Sequence, residues 1–356
     1  MKILSVNTRV EHFELTRPYA IAFRSVDSVQ NFVVELGTDR GLLGRGAASP
    51  EPHVTGETPE ACGEALREDA LEWLVGRDVR ALPAHCRELA TRLARLPAAR
   101  AALDMALHDL LAQYLGVPLV EMLGRAHHAL PTSITIGIKP VDETLDEARE
   151  YLERGFRVLK VKLGHSMEED IERLRRLRES LGHDIVIRVD ANQGYSPDAI
   201  PGFVTATESL AIEFVEQPVP VSDFDSLRSL PQRVRARVAA DESLLGERDA
   251  LRLIEPPRPC GIFNIKLMKC GGVHAGLRIA SLAEAADMEL MWGCMDESII
   301  SISAALHAAF ASPATRYLDL DGSLDLARDV VTGGFVLEGG CMRTTEAPGL
   351  GVKPLD

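Results

Sequence analysis

From about Ser133 the chain alternates short β-branched or apolar runs with segments of helical period, and no other feature constrains its fold so tightly. The runs are TSITIGI, VLKVKL, IVIRVD, IEFVE, VAAD, IFNIK, ELMWGC and YLDLD. Amphipathic patterns such as Met167–Leu181, Val273–Ala286 and Ile300–Phe310 lie between them. Eight such runs, spaced by roughly 25 residues, predict an α/β fold of the (β/α)8 type, a modified TIM barrel. The closing strand is expected at Tyr317–Asp321.

The residues before this alternation have an α+β texture. Strands are expected over Lys2–Leu15 and Val29–Leu36, the second followed by the turn TDRG. Pro50–Gly56 reads as a loop. Thr58 then caps a helix with Pro59 at its first position, and helical pattern continues in pieces to about Ala112. Gly116-Val117-Pro118 ends it. A barrel of roughly 200–250 residues plus a companion suits the 356-residue length. The predicted organisation is a capping domain over 1–125, a catalytic barrel over 126–326, and a tail, 327–356, that returns to the cap.

The amino terminus alternates like a strand and lacks the charged and apolar regions of an export signal. No apolar run approaches the roughly 20 residues that span a bilayer. A cytoplasmic protein with no membrane partner is expected. The six cysteines are scattered without a C-x-x-C pair, which predicts reduced, buried thiols rather than a zinc site or disulfide framework. A net charge of −14 argues against nucleic acid and leaves solubility, or attraction of cationic ligands, as its use. A homo-oligomer stays compatible with all of this.

Chemistry in such a barrel gathers where strands end. The second run ends in Lys160-Val161-Lys162, the third in Asp190-Ala191-Asn192, and the fourth in Glu216-Gln217-Pro218. The fifth ends in Asp241-Glu242-Ser243 and the sixth in Lys266. A single strand-end acid is usually a solvated loop residue or a helix cap. Three on consecutive strands would repel one another unless a cation lay between them, and an all-oxygen set favours Mg²⁺. Lys160 and Lys162 point the same way, so each should lower the other's pKa toward that of a useful base. Lys266 would face Lys162 from across the barrel. Two bases on opposite faces of one carbon are what a 1,1-proton transfer beside a carboxylate requires, with the cation stabilising the enolate.

These motifs, together with the junction AALDMALHDLLAQYLGVPLVEMLG and the stretches RVDANQGY, EFVEQPV, ADES and NIKLMKCGG, resemble the muconate-lactonizing subgroup of the enolase superfamily. Within it the chain is similar to the dipeptide epimerases over nearly its whole length. Lysine bases beside Mg²⁺ are a known pattern of that superfamily. The resemblance implies that Asp190, Glu216 and Asp241 bind Mg²⁺ and that Lys162 and Lys266 are the acid/base pair. It also implies that Lys160 holds the substrate carboxylate and tunes Lys162, and that Asn192 supports the metal's surroundings.

Asp319-Leu320-Asp321 ends the eighth run, and period two puts both carboxylates on one side as a receptor for an ammonium group. In the family this motif resembles, it holds the dipeptide's amine. A surface turn before Gly322 is the competing reading. Arg24 looks like the residue with which Ala-Glu epimerases hold the glutamate side chain. Asp296, where such relatives have an apolar residue, and Glu51, in a loop expected to cover the site, instead favour a cationic side chain. The familiar glutamate after G-x-G is Ala47 here. The expected activity is therefore Mg²⁺-dependent epimerisation of a dipeptide's C-terminal residue, with Lys- or Arg-containing substrates preferred. An L-Ala-D/L-Glu epimerase is the alternative. A cycloisomerase or o-succinylbenzoate synthase would not need Asp319 and Asp321, a sugar-acid dehydratase would want a His–Asp pair where Lys266 stands, and an inactive binding barrel would be expected to lack a lysine or an acid.

Overall fold

A computed structural model describes residues 1–21 and 24–355, with the side chains of all of these except 20, 21, 24 and 25. The chain begins with a three-stranded antiparallel sheet, β1 (Ile3–Ile21), β2 (Arg24–Thr38) and β3 (Leu43–Ala48). Strands β1 and β2 outrun the expected Lys2–Leu15 and Val29–Leu36. The extension is held from outside the hairpin: Arg17 bonds Glu147 (2.8 Å) and Glu150 (2.7 Å) on the helix Val141–Glu153. Thr58 caps the helix Pro59–Ala65, as its sequence indicates.

The sheet lies on the buried helix Pro97–Leu115, whose alanines permit a close approach. A Cβ on Gly46 would stand 1.8 Å from the Ala102 carbonyl oxygen, so β3 tolerates only glycine there. Glu57 accepts the Ala98 and Ala99 N–H groups (2.6 and 3.1 Å), satisfying the helix's first turn.

After a two-residue strand, β4 (Leu130–Pro131), eight parallel strands follow in sequential order. They are β5 (Ile134–Ile136), β6 (Val158–Lys162), β7 (Val186–Asp190), β8 (Ile212–Glu216), β9 (Val238–Ala240), β10 (Ile262–Ile265), β11 (Glu289–Gly293) and β12 (Thr315–Asp319). The first and last meet where Ser133 N–H donates to Leu318 O (3.0 Å). This is the expected barrel with one difference: among the described residues no helix follows β12. The chain instead runs back along the cap. Thr16 N–H donates to Asp325 O and Ala327 N–H to Glu14 O (both 2.8 Å), while Leu326 packs on Phe13, Leu15 and Val26. The tail adds β13 (Val331–Gly333), which pairs with β16 (Val352–Pro354), and β14 (Phe335–Glu338) and β15 (Cys341–Thr344), which join β4.

The barrel's lower interior is apolar, formed by Phe214, Ala239, Ile262 and Met291 with Tyr317 beside them. Among the described residues no helix is long and apolar enough to cross a membrane. All six cysteines are free.

Candidate active site

Strand register builds the site. Lys162 lies opposite Asp190 and Asp190 opposite Glu216, so one row of the sheet carries three of the expected side chains. Asp241 and Lys266 each sit one residue beyond their strands, β9 and β10. Strands β6 and β10 are four apart in the eight-strand order, so Lys162 and Lys266 stand on opposite walls. Asp190, Glu216 and Asp241 are at most 1% exposed.

Charge in this buried row is unbalanced in an informative way. Lys162 Nζ contacts Asp190 (2.7 Å) and Lys266 Nζ contacts Asp241 (2.8 Å). Lys160 Nζ sits among Glu216 (2.7 Å), Asp319 (2.7 Å) and Asp190 (3.2 Å). Its approach to Glu216 Oε2 is out of line for a hydrogen bond, and that buried oxygen has no hydrogen-bond partner. Burial, then repulsion from Asp190 and Asp241, pushes the Glu216 carboxyl up to about 8 despite Lys160. Such a set of sequestered carboxylate oxygens fits a hard divalent cation, which Asp190, Glu216 and Asp241 could hold.

The lowering expected for Lys160 from a neighbouring lysine is not what this arrangement gives. Burial disfavours the charge on Lys160, but Asp319, Glu216 and Asp190 outweigh it and raise the group well above its ordinary value. Lys266 is raised for the same reason, by Asp241 and Glu216 against burial.

Strand β12 ends at Asp319, two residues before the expected limit, and this corrects the period-two argument for Asp321. Asp319 points inward and accepts from Ser133 Oγ (2.6 Å) and Lys160 Nζ (2.7 Å). Asp321 lies past the strand, where its Oδ2 accepts the Thr135 N–H (2.7 Å) and Gly322 is packed against Met295 O. Both carboxylates still line one cavity with Lys160, Lys162 and Lys266. Burial, then Asp319, pushes Asp321 up to about 7.

A second cavity opens from Lys162 and Lys266 toward the cap and is lined by Glu51, Asp296, Asn192 and Asp241. Tyr19 O–H donates to Asp296 (2.7 Å), and Glu51 caps the short helix Pro52–Thr55 by accepting from His53 N–H (3.2 Å). Asn192 donates its N–H to Asp190 Oδ1 (2.9 Å), while its own buried Oδ1 has no partner. The Arg24 side chain lies outside the described residues. Ala47 is buried in β3.

Several residues here escaped the sequence reading. Asn264 donates to Glu216 Oε1 (2.6 Å), and Gln217 Oε1 accepts the Asp241 and Ser243 N–H groups (both 3.1 Å). Lys269 Nζ reaches Asp241 O (2.7 Å) and Asn264 O (3.1 Å). Counting back two residues from Lys266 would have found Asn264 on the inward face; the others show only in three dimensions.

Residues 4–124 match the N-terminal domain of the mandelate racemase / muconate lactonizing enzyme family, and residues 143–356 match its enolase C-terminal domain-like part. The L-Lys-D/L-Arg epimerase of Methylococcus capsulatus is 65% identical over 99% of both chains. The enzyme of that name from Desulforapulum autotrophicum is 57% identical, again over 99% of each. The structure of the Methylococcus capsulatus dipeptide epimerase with Mg and the dipeptide L-Arg-D-Lys superposes with a TM-score of 0.98 over 99% of both chains. Two matched domains that together cover most of the chain, and relatives 65% and 57% identical over 99% of it, make this chain a member of the mandelate racemase / muconate lactonizing enzyme family of the enolase superfamily.

Proposed function

We propose that the chain is a Mg²⁺-dependent dipeptide epimerase that inverts the α-carbon of the C-terminal residue and favours cationic dipeptides. The observation that carries this reading is the pair of lysines on opposite walls of one cavity with three buried carboxylates between them. The high identity to two enzymes named L-Lys-D/L-Arg epimerase supports the substrate class.

In this reading Asp190, Glu216 and Asp241 hold the metal, with Asn192 orienting Asp190. When bound, Mg²⁺ neutralises the three acids and acts as a Lewis acid on the substrate carboxylate, stabilising the charge left when the α-proton departs. Lys160 holds that carboxylate. Neutral Lys162 takes the α-proton from one face while protonated Lys266 delivers one to the other, and the roles exchange for the opposite epimer. Asp319 and Asp321 receive the dipeptide's ammonium group. Glu51 and Asp296 face the C-terminal side chain and favour lysine or arginine there. The residues divide into a cap of 1–125, a barrel of 126–326 and a returning tail of 327–356. Free cysteines and the net charge of −14 support a cytoplasmic enzyme with no nucleic-acid partner.

The rival L-Ala-D/L-Glu epimerase reading rests on Arg24, whose side chain is not described. The inactive-barrel reading has no missing lysine or acid to rest on. The test is α-proton exchange in D₂O, read by mass spectrometry across a dipeptide library. Exchange should peak with Lys- and Arg-containing dipeptides, stop on chelation with EDTA and return with Mg²⁺. Undiminished exchange in metal-free protein, or a preference for Ala-Glu, overturns the reading.

A further inference from the structure

A dipeptide presents two side chains; Glu51 flanks only the cavity toward the cap, and Asp296 stands where that cavity meets the one holding Asp319 and Asp321. The other cavity, beyond the Asp319–Asp321 pair, continues outward past Arg17, Lys139, Glu147 and Asp325. Its two cations are already matched. Arg17 is shared between Glu147 (2.8 Å) and Glu150 (2.7 Å), and Lys139 Nζ lies 2.5 Å from Glu147 Oε2. Tyr151 O–H takes up further capacity on Glu147 (2.9 Å).

Asp325 is different. Among the described residues its carboxylate has no ion pair within 4.0 Å and no hydrogen bond, although it is half-buried. Its position is nevertheless fixed. The Asp325 carbonyl accepts from Thr16 N–H (2.8 Å) and Oγ1 (3.1 Å), and Leu326 pairs with Leu15. Leu324 N–H closes a turn onto Asp321 O (2.8 Å), which brings Asp325 round to the same cavity wall. Asp325 is also close enough to Asp321 for their charges to repel. Arg17 and Arg154 act on it only from beyond ion-pair distance, each being engaged by Glu147 or Glu150. A half-buried carboxylate held in place without a direct ion pair, next to the ammonium receptor, has room for a cationic partner.

We propose that Asp325 receives the cationic side chain of the dipeptide's N-terminal residue. The inference rests on the dipeptide-epimerase reading, because it takes the substrate's ammonium to sit at Asp319 and Asp321. The enzyme then reads its two substrate side chains at separate carboxylates, Asp325 for the first and Glu51 with Asp296 for the second.

The experiment compares kcat/KM for L-Lys-L-Ala, L-Ala-L-Lys and L-Ala-L-Ala in the parent, Asp325→Asn and Asp325→Lys. Ratios within one preparation are independent of how much of it is folded. The ratio of L-Lys-L-Ala to L-Ala-L-Ala should fall roughly tenfold in Asp325→Asn, mostly through KM, and the ratio of L-Ala-L-Lys to L-Ala-L-Ala should hold. In Asp325→Lys the first ratio should fall further, and L-Glu-L-Ala should gain on L-Ala-L-Ala. A first ratio that does not move, or two ratios that fall together, overturns the inference with the epimerase reading intact. A parent that exchanges none of these dipeptides removes the reading itself.

Discussion

The floor and the rim of the barrel are made by the same strands at the same inward positions, yet their contents are opposite. On β8 the inward pair is Phe214 below and Glu216 above; on β10 it is Ile262 below and Asn264 above, with Lys266 just past the strand; on β12 it is Tyr317 below and Asp319 above. Arg188 marks the border, with its guanidinium 5.3 Å from the Phe214 ring and 5.0 Å from that of Tyr317, and it donates to Leu318 O (2.8 Å). Apolar burial at the floor stabilises the fold at about 25 cal/mol per Å². Buried like charges at the rim do the reverse until a cation and substrate arrive. Function is placed where the fold is least self-sufficient, and the pleat lets one strand supply both.

That contrast can be broken most directly at the rim. Lys162→Ala or Lys266→Ala should each cut epimerisation by about 10²–10⁴-fold. Lys→Arg at either should leave deuterium exchange confined to one epimer, whereas near-parent rates in both Ala variants would rule out the two-base scheme. At the floor, Met291→Ala should cost about 2–5 kcal/mol of stability by denaturant unfolding, because it leaves a cavity in a fully buried layer. Its substrate ratios should stay as in the parent. A changed ratio would mean that floor and rim are not separable.

Smaller effects sharpen the picture within the rim. Replacing both Asp319 and Asp321 by Asn should weaken free dipeptides relative to N-acetylated ones by about 1.5–3 kcal/mol, the worth of a buried charge-assisted contact. Equal losses would make the pair structural. Asp296→Ile should move the C-terminal side-chain preference away from Lys and Arg by roughly tenfold in kcat/KM. An unmoved preference would detach Asp296 from specificity.

The smallest effect is on pH. Asp321, held up to about 7 by burial and Asp319, is protonated below that pH and cannot pair with an ammonium. The free-to-acetylated ratio of kcat/KM should therefore rise a few-fold as pH increases through about 7, until the substrate amine loses its own proton at about 8. Asp321→Asn should flatten the rise, and a pH-independent ratio in the parent would contradict it.

Most of the barrel was legible because strands buried on both faces leave continuous apolar runs, and an acid or lysine at the end of most of these runs is conspicuous. The exceptions have physical causes. Asp321 lies outside β12 because the Thr135 N–H captures its carboxylate, a contact 186 residues away in sequence. Strand β1 extends past Leu15 because Arg17 is anchored by a barrel helix, which no local pattern in VEHFELTRPYA announces. Gln217 and Lys269 work by holding Asp241, so their value appears only once β8, β9 and the turn after β10 are side by side.

The pairing of Thr16 with Asp325 spans 309 residues of sequence. During synthesis the amino-terminal hairpin leaves the ribosome long before the strand of chain that completes the pocket wall. The hairpin tip must wait for it, and Lys266, the last of the acid/base and metal-binding groups, is made several seconds before Asp325, at roughly 5–20 residues per second. A chain interrupted before Asp325 would carry every acid/base and metal-binding group of the proposed reaction, and the acids proposed for the second side chain, but not the carboxylate proposed for the first.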